Sequence, residues 1–263
     1  MARTERLIVT RVGPDGERRR PDDLIVEEPM TIQIDGVTVS TTMRTPGHDY
    51  ELAAGFCFTE GLLDGALVTG VRYCATGPAV ETEFNVVTVE TDGQGPTPTP
   101  RLGTTSSSCG WCGSDQLDQL VARLEPLESV EPIAADVLLG VPAAVTAAQR
   151  LFAATGSVHA AAVFDRYGDV LRTREDVGRH NAVDKVIGER TLSHEGPATG
   201  LGLFVSGRAS IEMVQKAWSG GFSTLLAVSA PTALAVHAAR RAGMTLAGFA
   251  RGDHLNVYSP ERA

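Results

Sequence analysis

The last quarter of the chain alternates short apolar runs with amphipathic helical segments, and this pattern constrains the fold more than any other. Three apolar runs, 201–205, 224–228 and 245–249, lack the polar alternation of a half-exposed strand. The segments between them, 211–219 and 232–242, carry apolar residues at helical spacing. Strands buried on both faces that alternate with helices are typical of parallel βαβ units. We therefore predict an α/β domain here, with a mixed and largely parallel sheet.

This domain is expected to extend over residues 136–263. Before the alternating region, the pattern predicts a helix over 142–154, a hairpin over 159–173 and a helix over 181–192. Residues 1–135 are predicted to form a smaller α+β domain. The expected fold class is therefore α/β with a second, smaller α+β domain at the amino terminus.

The smaller domain is expected to combine strands with one helix. Alternating apolar residues over 30–43 are interrupted by Asp35-Gly36, a dipeptide that favours a tight hairpin turn. Asp49 is placed to cap a helix that follows. Residues 80–90 alternate again, as a half-buried strand does.

Composition argues against two classes of partner. The chain of 263 residues has a formal net charge of −9, whereas a general nucleic-acid binder needs a basic surface. No apolar run approaches the length of a membrane helix, and residues 1–12 lack the apolar stretch of a signal peptide. We expect a cytoplasmic protein that binds neither nucleic acid nor membrane.

A polar loop follows each of the three predicted parallel strands. The loops are Ser206-Gly207-Arg208, Ser229-Ala230-Pro231-Thr232 and Arg251-Gly252-Asp253-His254. Ligands of parallel α/β sheets bind beyond the carboxyl ends of the strands, and two of these loops open into helices whose free N–H groups favour anions. Each loop alone is better explained as a tight turn. Together on one edge, with arginines suited to phosphate, they predict a phosphate-bearing ligand.

The four cysteines are too few for a disulfide scaffold, and they fall into two kinds. Cys57 and Cys74 lie in apolar surroundings and are expected to be small buried residues. Cys109 and Cys112 form a Cys-x-x-Cys motif after a stretch rich in Gly, Pro and Thr. We expect residues 91–114 to form a mobile loop that carries this motif and leads into a helix.

The spacing of Cys109 and Cys112 is compatible with four roles. A zinc site normally adds a second close Cys or His pair, which is lacking here, so no metal is expected. A thioredoxin-like dithiol requires a strand just before the motif. Cysteines without a role would be exposed and chemically vulnerable. A sulfur carrier agrees best with the motif, because a thiolate near a helix amino terminus is nucleophilic and a mobile loop can visit a donor and an acceptor.

A second dense group of polar residues spans 175–185, with the sequence EDVGRHNAVDK. It lies at a predicted strand-to-helix junction and contains more polar residue types than a helix cap needs. The simpler explanation is a capped helix with solvated i,i+4 pairs. We include Arg179 and His180 among the candidate ligand-binding residues. His159, at the start of a strand, is either a core histidine or part of the site.

The sequence resembles a known family, the formate dehydrogenase accessory sulfurtransferases (FdhD). The resemblance extends from about residue 28 to residue 258 and rests on several long motifs in the same order. These are TPGHDYELAAGFCFTEGLL, SSCGWCG, TGSVHAAAVFD, EDVGRHNAVDKVIG, SGRASIEMVQKAW, APTALAVHAARRAG and TLAGFARGDHLNVYS. Such a set is specific, whereas a single Cys-x-x-Cys is not.

The resemblance implies an activity and a set of partners. The family takes persulfide sulfur from a cysteine desulfurase and transfers it to the bis-guanine-dinucleotide form of the molybdenum or tungsten cofactor, its bound substrate. That cofactor then serves formate dehydrogenase. Members are homodimers whose carboxyl-terminal domain has a cytidine-deaminase-like fold. The alternative is a non-catalytic chaperone that binds the cofactor and the dehydrogenase.

The resemblance also implies roles for individual residues. Cys109 matches the persulfide-bearing position, and Cys112 is its neighbour in the motif. The stretch 249–254 matches the region that binds the guanine dinucleotide. With the loops and the polar group added, the candidate cofactor-binding residues are Phe249, Ala250, Arg251, Gly252, Asp253, His254, Ser206, Gly207, Arg208, Thr232, Arg179 and His180.

Overall fold

The structure, a computed structural model, describes residues 1–74, 83–97 and 123–261 and arranges them around three β-sheets. The strands are β1 (Thr4–Gly13), β2 (Gly16–Ile25), β3 (Glu28–Ile34), β4 (Val37–Arg44), β5 (Gly70–Tyr73), β6 (Val86–Glu90), β7 (His159–Phe164), β8 (Val170–Asp176), β9 (Gly202–Val205), β10 (Thr224–Ala227), β11 (Thr245–Arg251) and β12 (His254–Ser259). The helices in these ranges are α1 (Asp49–Thr59), α2 (Ala135–Ala148), α3 (Arg150–Thr155), α4 (Arg179–Leu192), α5 (Ile211–Ser219) and α6 (Ala233–Ala242).

The largest sheet confirms the arrangement predicted from the alternating pattern. Its strand order is β12-β11-β10-β9-β7-β8. Strands β9, β10 and β11 run parallel, whereas β7 is antiparallel to β9, β8 to β7 and β12 to β11. Every residue of β9 and β10 is buried, which explains why these strands are apolar throughout. The carboxyl ends of the three parallel strands share one edge.

Apolar side chains cover both faces of this sheet. Ala161 and Val163 of β7 point to a core shared with α4, α5 and α6. The alternate residues Ala162 and Phe164 point to a second core, which α2 covers. Successive residues of a strand face opposite sides, so a strand with helices on both sides has no polar face.

A four-stranded sheet of order β4-β3-β6-β5 forms most of the smaller unit. The hairpin predicted at Asp35-Gly36 joins β3 to β4, and both turn residues have positive φ, 46° and 84°, as a two-residue hairpin turn requires. Helix α1 packs on this sheet through Leu52 and Phe56. Strands β1 and β2 form a separate, largely exposed hairpin that the sequence did not predict specifically.

Helix α1 also packs directly against α4, and two glycines set the distance between them. A Cβ on Gly55 would lie 1.9 Å from the Asp184 carbonyl oxygen, and a Cβ on Gly188 would lie 1.7 Å from the Glu51 carbonyl oxygen. No side chain fits at either position, so the close approach of the two backbones requires glycine. This crossing joins the four-stranded sheet to the six-stranded one.

The helix cap predicted at Asp49 is wrong. His48 occupies the cap position in the left-handed conformation, with φ 58°, and makes no capping side-chain bond. The Asp49 carboxylate instead accepts hydrogen bonds from the buried Arg44 at 3.2 and 3.1 Å. A buried guanidinium requires a charged partner, and that requirement outweighs the capping preference of Asp49.

Two further boundaries differ from the prediction. The helix expected over 142–154 begins seven residues earlier as α2, contains Pro142 in its interior, and is followed by the separate helix α3. The strand expected over 80–90 begins only at Val86, because Phe84 before it is in a turn with φ 59°. Residues 80–82 of that prediction lie outside the described residues.

Candidate functional site

Backbone hydrogen bonds tie together the loops at the carboxyl edge of the parallel strands. The Ser229 amide donates to the Gly207 carbonyl at 3.3 Å, and the Phe249 amide donates to the Ser229 carbonyl at 3.3 Å. The Thr232 amide donates to the Ala209 carbonyl at 3.0 Å. The three loops predicted to converge therefore lie side by side.

The third loop forms the turn of a β-hairpin, whose second strand the sequence did not predict. Strand β12 pairs antiparallel with β11, and Gly252 lies at the turn with φ 66°. Arg251, Asp253 and His254 around it are exposed. Phe249 has φ 54°, a left-handed conformation beside a shift in the strand register. Such a backbone costs on the order of 1–3 kcal/mol and tends to occur at functional sites.

Most of the polar group that precedes and opens α4 forms a buried network. The Asp176 carboxylate lies 2.7 Å from Lys185 Nζ and accepts a hydrogen bond from the Thr45 amide at 3.1 Å. Asn181 Nδ2 donates to the Met43 carbonyl at 2.7 Å. The solvated i,i+4 pairs considered above are therefore wrong, because these side chains are buried and bind the end of β4.

Asp184, in the middle of α4, has its partner on α5. Lys216 Nζ lies 2.9 Å from each Asp184 carboxylate oxygen and 3.2 Å from Glu60 Oε1. The Thr59 hydroxyl donates to Asp184 at 2.9 Å. Burial raises the pKa of Asp184 to about 6, although Lys216 acts in the opposite direction. This ion pair holds α4, α5 and the end of α1 together.

Arg179 and His180 belong to the same polar group but do not join its network. Within residues 1–74, 83–97 and 123–261, Arg179 Nε and His180 Nε2 are buried without a hydrogen-bond partner, and so is Ser210 Oγ at the start of α5. Burial and the charge of Arg208 both lower the pKa of Arg179. Unpaired buried polar atoms are uncommon and cost about 1–3 kcal/mol each. Arg208 acts on the charge of Arg179, and Arg179 acts on that of His180, so this group suits a polar, anionic ligand.

His159 joins this group through Ser206. His159 Nδ1 lies 3.1 Å from Ser206 Oγ, which also accepts a hydrogen bond from the Ala160 amide at 2.9 Å. A Cβ on Gly207 would lie 3.2 Å from Arg179 Cδ and 3.6 Å from His159 Cε1. Both side chains therefore lie beside Gly207. The sequence left the role of His159 open because its partner is 47 residues away.

We call this group the polar cluster. Its members are His159, Arg179, His180, Ser206, Gly207, Arg208 and Ser210. The sequence had singled out every member except Ser210, and His159 only as one of two possibilities.

The burial of His180 predicts a pH dependence of stability. Burial, with Arg179 and Lys216 acting in the same direction and Glu212 and Glu60 opposing it, lowers the pKa of His180 from 6.5 to about 4. The unfolded chain therefore takes up this proton at a higher pH than the folded one, so stability present above pH 6.5 is lost as the pH falls toward 4. We expect this histidine to account for about 3 kcal/mol of that loss.

Replacement of His180 by glutamine should flatten the fall in unfolding free energy between pH 6.5 and pH 4. Urea unfolding at several pH values measures this slope. The exposed His194 provides the control, since His194→Gln should leave the slope as it is. Equal slopes in the wild type and in His180→Gln would contradict the assignment.

The other candidate residues differ in their surroundings. The Thr232 hydroxyl accepts a hydrogen bond from the Ala235 amide at 3.3 Å and so caps α6, a structural role that needs no ligand. Ala250 is fully buried and packs in the core beneath α2. Arg208 is exposed at the start of the segment that leads into α5.

The cysteines are only partly covered by the structure. Cys57 and Cys74 are buried, as predicted, with exposures of 0% and 6%. Cys109 and Cys112 lie outside the described residues, as do residues 98–114 of the loop expected to be mobile. Residues 91–97 are described, and there the Thr91 amide donates to Asp35 at 2.8 Å.

The described ranges, 1–74, 83–97 and 123–261, contain neither a metal-binding group of side chains nor a membrane-spanning helix. No three His, Cys, Asp or Glu side chains in them are grouped so as to hold a metal ion. None of the helices there combines the length and apolar character needed to cross a membrane.

Comparison with known proteins decides the family. The model of the FdhD/NarQ family matches residues 25–263. The chain belongs to the FdhD/NarQ family. This confirms the resemblance that the sequence motifs indicated.

Members of the FdhD/NarQ family with curated names are similar over nearly the whole chain. Sulfur carrier protein FdhD of Nocardia farcinica is 47% identical over 97% of this chain and 93% of its own length. The protein of the same name from Mycobacterium tuberculosis is 42% identical, with 95% of each chain covered. A crystal structure from Desulfotalea psychrophila, described provisionally as a formate dehydrogenase accessory protein, matches with a TM-score of 0.74 and 23% identity over 99% of both chains. That last match shows a shared fold.

Proposed function

We propose that this protein is a sulfur carrier that holds sulfur as a persulfide on Cys109. The Cys109 thiolate attacks the outer sulfur of a persulfide on a cysteine desulfurase. The donor's S–S bond breaks, the donor leaves as a thiolate, and the sulfur stays on Cys109 as a new persulfide. This exchange consumes neither oxidant nor reductant.

Release of the sulfur uses the second cysteine. The Cys112 thiolate attacks Sγ of Cys109, sulfide leaves, and a Cys109–Cys112 disulfide forms. The two thiols lose two electrons, which reduce the departing sulfur to sulfide. A cellular dithiol must then reduce the disulfide before the next cycle.

The observation that carries this proposal is the match to the relatives. Proteins 42–47% identical over nearly the full chain are named sulfur carrier protein FdhD. This sequence places two cysteines, Cys109 and Cys112, in a Cys-Gly-Trp-Cys-Gly motif, so it has thiols available for that role.

The proposed acceptor is the bis-guanine-dinucleotide form of the molybdenum or tungsten cofactor, bound as substrate. Its guanine dinucleotide portion would meet the hairpin 249–254 and the polar cluster, with the phosphates beside Arg251 and the arginines of that cluster. The supporting observations are the linked loops, the unpaired polar atoms and the exposed Arg251. An acidic protein can bind such an anion only where cations are concentrated locally.

The remaining parts of the proposal follow from the resemblance. The protein acts in the cytoplasm as a homodimer, receives sulfur from a cysteine desulfurase and serves the catalytic subunit of formate dehydrogenase. The six-stranded sheet with its helices would correspond to the cytidine-deaminase-like domain of the family.

Incubation with a cysteine desulfurase and cysteine tests the carrier role. Intact-protein mass spectrometry should show a gain of about 32 Da, which is one sulfur atom, and the gain should disappear after treatment with a reductant. A protein that binds guanosine diphosphate but never gains this mass would be a chaperone instead. A Cys109–Cys112 disulfide without any gain would indicate a dithiol oxidoreductase.

Arg251 tests the nucleotide part of the proposal. A charge-assisted contact to phosphate contributes about 1.5–3 kcal/mol, so Arg251→Ala should weaken binding of guanosine diphosphate about ten-fold or more in calorimetry. Arg241→Ala is the matched control, because Arg241 is an exposed arginine near the carboxyl end of α6, away from the loops. Unchanged affinity in Arg251→Ala would remove this residue from the site.

A further inference from the structure

We propose that His159 is a neutral hydrogen-bond donor that binds an anionic oxygen of the ligand, and that Ser206 fixes it in that role. This inference rests on the proposed function, since the ligand is taken to be the phosphate-bearing cofactor. It adds a positioning pair to the candidate site. The donor is the Nε2–H group of the imidazole ring.

The hydrogen bonds of Ser206 determine which ring nitrogen of His159 carries the proton. A serine hydroxyl has one proton to donate and two lone pairs that accept. Ser206 Oγ already accepts from the Ala160 amide at 2.9 Å, and within the described part of the chain its other partner is His159 Nδ1 at 3.1 Å. If Nδ1 carried the proton, the hydroxyl hydrogen would have no acceptor there. Full pairing therefore requires Ser206 to donate to an unprotonated Nδ1.

Burial and nearby charged groups set the charge of the His159 ring. Burial and the nearby Arg179 lower the pKa of His159, and Asp176 opposes them only as the smallest of the three effects. The imidazole is therefore neutral at pH 7 and carries a single proton. With Nδ1 accepting from Ser206, that proton is on Nε2.

The Nε2–H group of His159 is available to donate a hydrogen bond to a ligand. In the described ranges no side chain or carbonyl accepts from it, and the ring is only half-buried, so the donor is available. A histidine placed solely for core packing would have both nitrogens paired. The ring and Arg179 Cδ both lie beside Gly207, and Arg208 follows Gly207 directly in the chain. An N–H donor grouped with two guanidinium groups matches an anionic oxygen.

Two substitutions at His159 distinguish the roles of the two ring nitrogens in binding. Glutamine places an N–H group near the position of Nε2, whereas asparagine places one near Nδ1. We expect His159→Asn to weaken the binding of guanosine diphosphate about ten-fold and His159→Gln to keep it within about three-fold of the wild type. His194→Asn, an exposed histidine beyond the far end of α4, serves as the control. Calorimetry with folded variants, checked by thermal unfolding, gives the affinities.

The probe molecules locate the contact on the ligand. Pyrophosphate should show the same loss with His159→Asn as guanosine diphosphate does, and guanosine alone should show none. Equal affinities of His159→Asn and the wild type for guanosine diphosphate would overturn the inference. So would equal losses in the asparagine and glutamine variants, or a loss with guanosine. Wild-type protein that binds neither guanosine diphosphate nor pyrophosphate would instead refute the proposed nucleotide site.

A spectroscopic measurement tests the tautomer without any ligand. Nitrogen-15 NMR of the ring should show an unprotonated Nδ1 and a protonated Nε2 in the wild type. Ser206→Ala should convert this into a mixture of tautomers and weaken binding of guanosine diphosphate. A protonated Nδ1 in the neutral wild-type ring would overturn the role assigned to Ser206.

Discussion

Replacing Cys109 by alanine is expected to abolish persulfide formation and, with it, the activity of the formate dehydrogenase that this protein is proposed to serve. The two buried cysteines, Cys57 and Cys74, cannot take over the sulfur. Cys57 is fully buried, and burial raises the pKa of its thiol, so it is neither accessible nor ionised. Cys74 is also buried. Mass spectrometry after desulfurase treatment, and enzyme assays in cells that carry the variant, measure the two losses.

The variant Cys112→Ala is the control that shows which cysteine of the motif carries the sulfur. It should still gain one sulfur atom but release it poorly, because the thiol that expels sulfide from Cys109 is gone. The cellular content of the cofactor should stay the same in both variants, since the proposed step comes after its synthesis. If Cys109→Ala gains sulfur normally and Cys112→Ala does not, the two roles are reversed.

Replacing Lys216 by methionine is expected to have the largest effect on stability. The ammonium is buried between Asp184 and Glu60, so its removal leaves a buried carboxylate without a cation. Breaking such a pair on one side typically costs about 3–5 kcal/mol. Urea unfolding at pH 7 measures the loss. The loss should shrink as the pH is lowered, because Lys216 lowers the pKa of Asp184 and the carboxylate is protonated more readily without that cation.

The double variant with Asp184→Asn separates charge from packing. The neutral amide removes the unpaired charge, so Lys216→Met with Asp184→Asn should be more stable than Lys216→Met alone. A single variant that loses less than about 1 kcal/mol at every pH would show that the ion pair contributes little to stability.

The sequence predicted the six-stranded sheet better than any other part of the fold. Strands β9 and β10 are buried on both faces, so their apolar character is visible without knowledge of their neighbours. The three loops at their carboxyl edge followed from the parallel topology alone. Family motifs predicted the chemistry, and the cysteines proposed to carry it lie outside the described residues.

Features that depend on contacts between residues far apart in the chain could not be predicted from the sequence. Spacing within α4 suggested solvated i,i+4 pairs, but Asp184 is buried and binds Lys216, 32 residues away. Gly55 and Gly188 are unfavourable in helices when each helix is considered alone, and only their contact explains them. The role of His159 likewise required Ser206 from the neighbouring strand β9 and its loop.

The glycine contact between α1 and α4 also has a consequence for biogenesis. Helix α1 leaves the ribosome roughly 130 residues before α4 does, an interval on the order of ten seconds at about 5–20 residues per second. During that time the face of α1 that carries Gly55 lacks the helix that it packs against in the folded protein. A ribosome paused before residue 188 would leave this face exposed to chaperones and proteases.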